Sequence, residues 1–133
     1  RGVGIVVERV EEQVGEPLAR IKSCAGYSTT NIAYGGPDKL QLTDIPEPNP
    51  AAGQIRVRVR ATSINPIDWK QASGQFRPIL TARFPHFIPG YDLAGEVEAL
   101  GAGVTEFSVG QRVHTRLSGN SAGANAEYIV ADA

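Results

Sequence analysis

The sequence predicts a mainly β fold, a small barrel or sandwich of short strands with little helix. Two observations predict it. Short apolar segments are separated throughout by turn residues, with 15 glycines and 9 prolines among 133 residues. One segment also alternates strictly between apolar and charged side chains, which is typical of a strand with one buried and one wet face. Its apolar members are Ile55, Val57, Val59 and Ala61, and its charged members are Arg56, Arg58 and Arg60.

The first 24 residues differ from the rest of the chain. Valines recur there at near-helical spacing, and Pro17 suits the first position of a second short helix. We find no residues that suggest chemistry in this stretch, and we interpret residues 1–24 as an N-terminal appendage. Because the chain begins at Arg1 and contains no methionine, we also expect it to be a fragment or a processed form.

The β signal starts near residue 25 and continues to the end of the chain, so we predict one domain over residues 25–133. A turn cluster at 34–38 separates the first two strands, and a proline-rich loop precedes the third. A helical turn over 68–73 should stop at Gly74, which is a common residue after a helix. The predicted strands cover 29–33, 40–45, 55–61, 93–100, 112–117 and 128–131.

Bulk composition excludes several classes of function. A net charge of −1 and a pI near 6.1 give no general attraction to nucleic acid or to anionic membranes. No apolar run approaches the roughly 20 residues of a membrane span, and acidic residues near the start argue against a secretory signal. The single cysteine, Cys24, excludes an internal disulfide and fits a reducing compartment, so we expect a cytoplasmic protein.

The first candidate site is the segment Asn65-Pro66-Ile67-Asp68-Trp69-Lys70, which places an amide, a carboxylate, an indole and an ammonium at the end of a strand. On residue types alone, a structural role is favoured. Asn and Asp commonly cap turns, Trp commonly fills a core, and Lys is commonly solvated. We therefore expect Asp68 to order the turn and Trp69 to pack.

The second candidate site is the segment 88–95, which contains Gly90, Tyr91, Asp92 and Gly95. The two glycines allow tight approach of the backbone at the start of a strand. Tyr91 could donate a hydrogen bond to a substrate carbonyl or only form the wall of a pocket, and we favour the wall. Asp92 suits a turn or a hydrogen-bond network.

Gly101-Ala102-Gly103 is the start of a dinucleotide-binding pattern that the chain does not complete. Glu106 stands where the third glycine would be, and no helix is predicted after it. We therefore interpret these glycines as a turn between strands.

Together the two candidate segments resemble the GroES-like catalytic domain of the medium-chain dehydrogenase/reductase superfamily, in its zinc-free quinone oxidoreductase and enone reductase branch. The resemblance covers about residues 25–133 and implies a small GroES-like β-barrel with short helical turns. In zinc alcohol dehydrogenases, metal ligands stand where this chain has Asn65 and Tyr91. One cysteine and two histidines, His86 and His114, are also too few for the usual zinc sites, so we expect no metal.

The resemblance implies hydride transfer from NADPH to a small-molecule quinone or α,β-unsaturated carbonyl. It implies that Lys70 contacts the cofactor, that Asn65 faces the nicotinamide or the substrate, and that Tyr91 lies beside them. A Rossmann domain of about 150 residues would hold the dinucleotide and is absent from this chain, so we expect little turnover from these 133 residues alone. A homodimer is a further expectation, and the alternative is a non-enzymatic β-barrel module with a binding role.

Overall fold

The computed structural model describes residues 27–31, 33–77, 79, 87–117 and 122–133. The predicted appendage, Cys24 and His86 lie outside these residues. In the part of the chain that is described, no helix is long and apolar enough to cross a membrane.

The described residues form a mainly β fold with one short α-helix, as the sequence predicts. A single 3₁₀ turn, Pro37–Lys39, precedes the second strand. The elements in chain order are β1 Tyr27–Asn31, β2 Leu40–Asp44, β3 Gln54–Thr62, α1 Pro66–Ala72, β4 Asp92–Leu100, β5 Arg112–Arg116 and β6 Tyr128–Asp132. Each predicted strand has a counterpart. The first strand begins two residues before its predicted start, and the helix begins at Pro66 instead of Asp68.

The strands form two antiparallel sheets. The main sheet has the order β5-β4-β3-β6, so β3 and β4 lie at its centre, and β1 pairs with β2 in a separate two-stranded sheet. The β3–β4 pairing joins Ile55 to Leu100 at one end and Thr62 to Leu93 at the other. This antiparallel register brings the end of β3 beside the beginning of β4. The first candidate segment follows β3 at this edge, and the second leads into β4 there.

The main core lies against one face of the four-stranded sheet. Its members come from all four strands of that sheet and from the loops that cross over them. They are Ile55, Val57, Tyr91, Leu93, Val97, Phe107, Val113, Leu117, Ala124 and Ile129. Because strand side chains alternate between faces, one apolar residue in two is enough to build this layer.

The alternation along β3 holds at its start and fails at its end. Ile55 and Val57 are buried as predicted, but Ala61 is exposed, because register shifts interrupt the pairing at Arg56/Val57 and Val59/Ala61. The expectation of a wet arginine face is also wrong for Arg56. Its side chain is only 17% exposed, and it forms ion pairs with Glu47 at 3.4 Å and Glu98 at 3.1 Å.

Candidate active site

The fold brings the two candidate segments together, and the Asp68 carboxylate joins them directly. Asp68 Oδ2 accepts the backbone N–H of Asn65 at 2.6 Å, and Oδ1 accepts the backbone N–H of Gly90 at 2.9 Å. The side chain is 4% exposed, so both bonds are sheltered from water. The predicted role of Asp68 as the residue that orders the turn agrees with these contacts.

Local sequence explains why α1 begins and ends where it does. Asn65 precedes the helix in an extended conformation, Pro66 occupies its first turn, and Asp68 is the third helical residue. A carboxylate at this position satisfies a backbone N–H before the first turn and interacts favourably with the positive end of the helix. Gly74 follows the helix with φ of +86°, a conformation that glycine adopts at low cost.

A second carboxylate, Asp92, links the same segments near the surface. Its Oδ2 accepts Asn65 Nδ2 at 2.6 Å and Ser63 Oγ at 3.0 Å, and Asn65 Nδ2 lies 3.0 Å from Ser63 Oγ. The three polar atoms therefore form a near-equilateral triangle. Asn65 Nδ2 thus has two acceptors within the protein, and the orientation of its amide is set by both contacts.

Tyr91 lies in the core with only 1% of its surface exposed. Its hydroxyl donates a 2.6 Å hydrogen bond to Gln71 Oε1, which joins the residue just before β4 to the buried face of α1. Burial raises the pKa of Tyr91 above its usual 10.0, and the bond to Gln71 opposes that effect. In this conformation the hydroxyl does not reach a ligand. Tyr91 is part of the core, and the expectations that it forms the wall of a pocket or acts in catalysis both stay predictions.

Lys70, which precedes Gln71 on α1, is half-buried. Its Nζ is 5.5 Å from the centroid of the Trp69 ring and 5.9 Å from that of Phe76, which favours the charged amine near the two rings. Trp69 does not fill the core as expected. It is 51% exposed, because the helix turns this side chain outward, and the preceding Ile64 is 81% exposed. The Lys70 ammonium therefore lies close to two aromatic rings, one of them exposed.

A third segment, which the sequence analysis did not assign to the site, completes the junction. Gly90 O accepts the backbone N–H groups of Gly123 and Ala124, and Asn125 N donates to Pro89 O. Thr62 Oγ1 contacts both Asp92 O at 2.9 Å and Asn125 Oδ1 at 3.0 Å. No local pattern marks Thr62 or Asn125. Only the antiparallel pairing brings them together.

Gly90 is required by this close packing. Its φ is +102°, and a Cβ placed there would lie 2.7 Å from both Asn125 N and Asn125 Oδ1. Gly95 is equally confined, since a Cβ there would lie 2.2 Å from Arg58 O across the sheet. The predicted tight approach of the backbone at both glycines is confirmed.

The remaining polar candidates fall elsewhere. His114 is half-buried on β5, opposite Ala94 of β4. Gly101 closes the turn after β4 by donating to Gln54 O, and no helix follows it in the described residues, which agrees with its interpretation as a turn. Across the described ranges no three His, Cys, Asp or Glu side chains gather into a metal-binding group.

Two groups of the site, an ammonium and an amide, have chemistry that a bound ligand could use. Lys70 supplies a half-buried positive charge that suits an anionic cofactor. Asn65 supplies a fixed N–H donor that can polarise a carbonyl. Both groups come from one turn and helix that Asp68 and Asp92 attach to the sheet.

Similarity to known proteins is concentrated in the same region. Residues 51–133 match the family model described as the alcohol dehydrogenase GroES-like domain. A chloroplastic quinone-oxidoreductase homolog from Spinacia oleracea is 42% identical over 97 residues, which cover 73% of this chain and 29% of the spinach protein.

Solved structures share the fold. A quinone oxidoreductase from Pseudomonas syringae superposes with a TM-score of 0.72 at 32% identity, covering 80% of this chain and 31% of that one. A mycobacterial protein solved in complex with NADPH superposes with a TM-score of 0.68 at 31% identity, covering 81% and 30%. The chain thus spans less than a third of the length of each of these three proteins.

Proposed function

Since the chain belongs to the alcohol dehydrogenase GroES-like domain family, we propose that it is the substrate-side part of an NADPH-dependent oxidoreductase that reduces quinones or α,β-unsaturated carbonyls. This membership confirms the family and the GroES-like fold predicted from the two segments. The relatives described as quinone oxidoreductases support the reaction class. The NADPH complex of a structural neighbour supports the cofactor.

The observation that carries the proposal is the double attachment of the Asn65–Lys70 segment to the start of β4. Asp68 holds the segment from the buried side and Asp92 holds it from the surface side. Such attachment fixes the positions of Asn65 and Lys70, and fixed geometry is what hydride transfer between two bound molecules requires of the protein.

The residues present fit NADPH. The ammonium of Lys70 is a point charge at the end of a long side chain that matches a phosphate or a ribose hydroxyl, and the exposed Trp69 offers apolar surface beside it. When bound, NADPH supplies the hydride. The chain's own residues hold the cofactor and the acceptor, and the Asn65 amide donates a hydrogen bond to the carbonyl that gains negative charge.

We propose that this chemistry does not use zinc. The side chains at the two positions where zinc ligands would stand are an amide and a phenol, and both are already hydrogen-bonded within the protein. Neither group is among the ligands that zinc prefers. Metal analysis of the purified whole protein should find no stoichiometric zinc, and dialysis against a chelator should leave quinone reduction unchanged.

The acceptor is proposed as a class and not as one compound. A quinone is itself a conjugated α,β-unsaturated dicarbonyl, so one site that polarises a carbonyl oxygen serves quinones and enones alike. A cytoplasmic location and a homodimer are further proposals. Relatives described as chloroplastic make subcellular fractionation the test of the first, and mass measurement in solution is the test of the second.

The central test is Lys70→Ala in the whole protein, assayed by NADPH titration and by quinone reduction. We expect the dissociation constant for NADPH to rise about tenfold or more, because a charge-assisted contact is worth about 1.5–3 kcal/mol. The matched control is Lys39→Ala, since Lys39 pairs with Asp38 at 2.7 Å on another part of the surface. Equal NADPH affinity in both variants would remove Lys70 from the cofactor site.

A further inference from the structure

We propose that Asp92 is a positioning residue that sets the orientation of the Asn65 amide for carbonyl reduction. The inference rests on the proposed function and deepens it, because it names the group that aims the hydrogen-bond donor. Nothing in the family match or in the relatives' descriptions assigns a role to this carboxylate.

A direct hydrogen bond joins the Asn65 amide to the Asp92 carboxylate. The 2.6 Å bond from Asn65 Nδ2 to Asp92 Oδ2 is the shorter of the two bonds that Asn65 Nδ2 makes. Hydrogen bonds to a carboxylate are shorter and stronger than neutral ones. Both residues are half-buried, so water competes only in part.

The Asp92 carboxylate determines which end of the Asn65 side-chain amide faces it. A carboxylate accepts hydrogen bonds and repels the carbonyl oxygen of an amide, so Asp92 permits only the orientation in which Asn65 Nδ2 faces it. The second N–H of Asn65 is then directed away from Asp92. Without the carboxylate, only the capping contact, in which the Asn65 side chain accepts the Asp68 backbone N–H, would oppose a 180° rotation of the amide that presents an acceptor where the reaction needs a donor.

The Asp92 carboxylate is itself held in place by neighbouring groups. Ser63 Oγ donates to the same Oδ2 atom at 3.0 Å, and Thr62 Oγ1 donates to the Asp92 backbone carbonyl at 2.9 Å. Asp92 also begins β4, where its backbone pairs with Arg116 of β5. The orientation of Asn65 is therefore set by a residue of the main sheet that is itself held in place.

The test is Asp92→Asn in the whole protein. An amide at position 92 keeps the size of the side chain but no longer discriminates between the two orientations of Asn65. We expect kcat for quinone reduction to fall about tenfold, while the dissociation constant for NADPH changes less than about threefold, because Lys70 is untouched. The matched control is Glu96→Gln, a carboxylate on the same strand that pairs with Arg60 at the surface, which should leave both values unchanged.

Two further measurements separate positioning from simple support of the fold. If Asp92 acts through Asn65, the double variant Asp92→Asn/Asn65→Ala should be no slower than Asn65→Ala alone. The Asn65 side-chain amide resonances, identified by their loss in Asn65→Ala, should shift in Asp92→Asn and stay in place in Glu96→Gln. If Asp92→Asn does not fold, Ser63→Ala takes its place, with an expected loss of about threefold in kcat.

Opposite results overturn the inference in a recognisable way. Independent, multiplicative losses in the double variant, or unchanged kcat in Asp92→Asn, would show that Asp92 does not act through Asn65. A wild-type protein that neither binds NADPH nor reduces a quinone would instead overturn the proposed function, whatever the Asn65 resonances show.

Discussion

Two regions of the molecule are held together by different kinds of interaction. The core of the main sheet is apolar and is closed by residues such as Ile55, Val57 and Val97, each at most 1% exposed. The junction at the edge of that sheet, where Asn65–Gln71 meets Gly90–Asp92, is held instead by side chains that donate to or accept from neighbouring backbone and side-chain groups. Apolar burial is roughly proportional to area and has no direction, whereas hydrogen bonds fix distance and angle.

The two kinds of interaction differ in whether they mainly stabilise the fold or fix the positions of polar atoms. A core formed by many interchangeable apolar contacts stabilises the sheet without specifying the position of any one polar atom. The junction adds less to stability but specifies where Asn65 and Lys70 lie. Substitutions in the core should therefore affect folding alone, and substitutions in the junction should also affect the site, through cofactor binding or through turnover.

The largest effect on stability is expected for Ile55→Ala. Its side chain is fully buried between β4 and β6, so the substitution leaves a cavity and should lower the free energy of unfolding by about 2–5 kcal/mol. Chemical denaturation of the whole protein, followed at the transition of this domain, measures the change. The control is Val109→Ala, since Val109 is 65% exposed and should cost little. NADPH affinity of the folded fraction should not change, and a large change would erase the distinction between the two regions.

The next effect is expected for Asp68→Asn. An amide has one acceptor oxygen where the carboxylate has two, so either the Asn65 or the Gly90 N–H loses its partner in a buried setting. We expect a loss of about 1–3 kcal/mol in stability and a weaker affinity for NADPH, because α1 is released from β4. The control is Asp44→Asn on the exposed surface of β2. A stability loss with unchanged NADPH affinity would show that the junction does not position the site.

A smaller effect is expected for Tyr91→Phe, which removes the donor to Gln71 Oε1 and keeps the ring. Gln71 is 1% exposed, and its Nε2 is already buried without a hydrogen-bond partner, so the substitution leaves the whole amide unpaired. We expect a loss of about 1–2 kcal/mol. The comparison variant is Tyr34→Phe, which also loses a buried hydroxyl but lies outside the junction. Only Tyr91→Phe should alter quinone reduction as well as stability.

The raised pKa of Tyr91 adds a test in alkaline solution. Burial favours the neutral phenol, so the folded-state pKa lies above the unfolded value near 10.0. The stabilisation is complete below pH 10 and is lost as the pH rises through the folded-state pKa. The unfolding midpoint of wild type should therefore fall more steeply above pH 10 than that of Tyr91→Phe. Tyr128, whose pKa is also raised by burial, contributes equally to both proteins. Parallel curves would mean that Tyr91 is not buried as described.

The sequence predicted much of the fold because strand patterns are local. Alternation over Ile55 and Val57, the turn at Gly101 and the stop at Gly74 each depend on a few neighbouring residues. The burial of Arg56 could not be predicted in this way, since its partners Glu47 and Glu98 lie 9 and 42 residues away in sequence. The exposure of Trp69 was missed for a related reason, because its surroundings depend on how α1 is seated against β4.

By itself, the sequence determined the mainly β class, the succession of strands along the chain and the two segments that carry the family resemblance. Only the tertiary structure decided that Asp68 binds Gly90, that Asp92 binds Asn65, and that the Tyr91 hydroxyl is enclosed with Gln71. Each of these pairs spans 20 residues or more of chain. The periodicity of the sequence predicts which face of a strand a side chain occupies. Its hydrogen-bond partner depends on the antiparallel register, which brings distant parts of the backbone together.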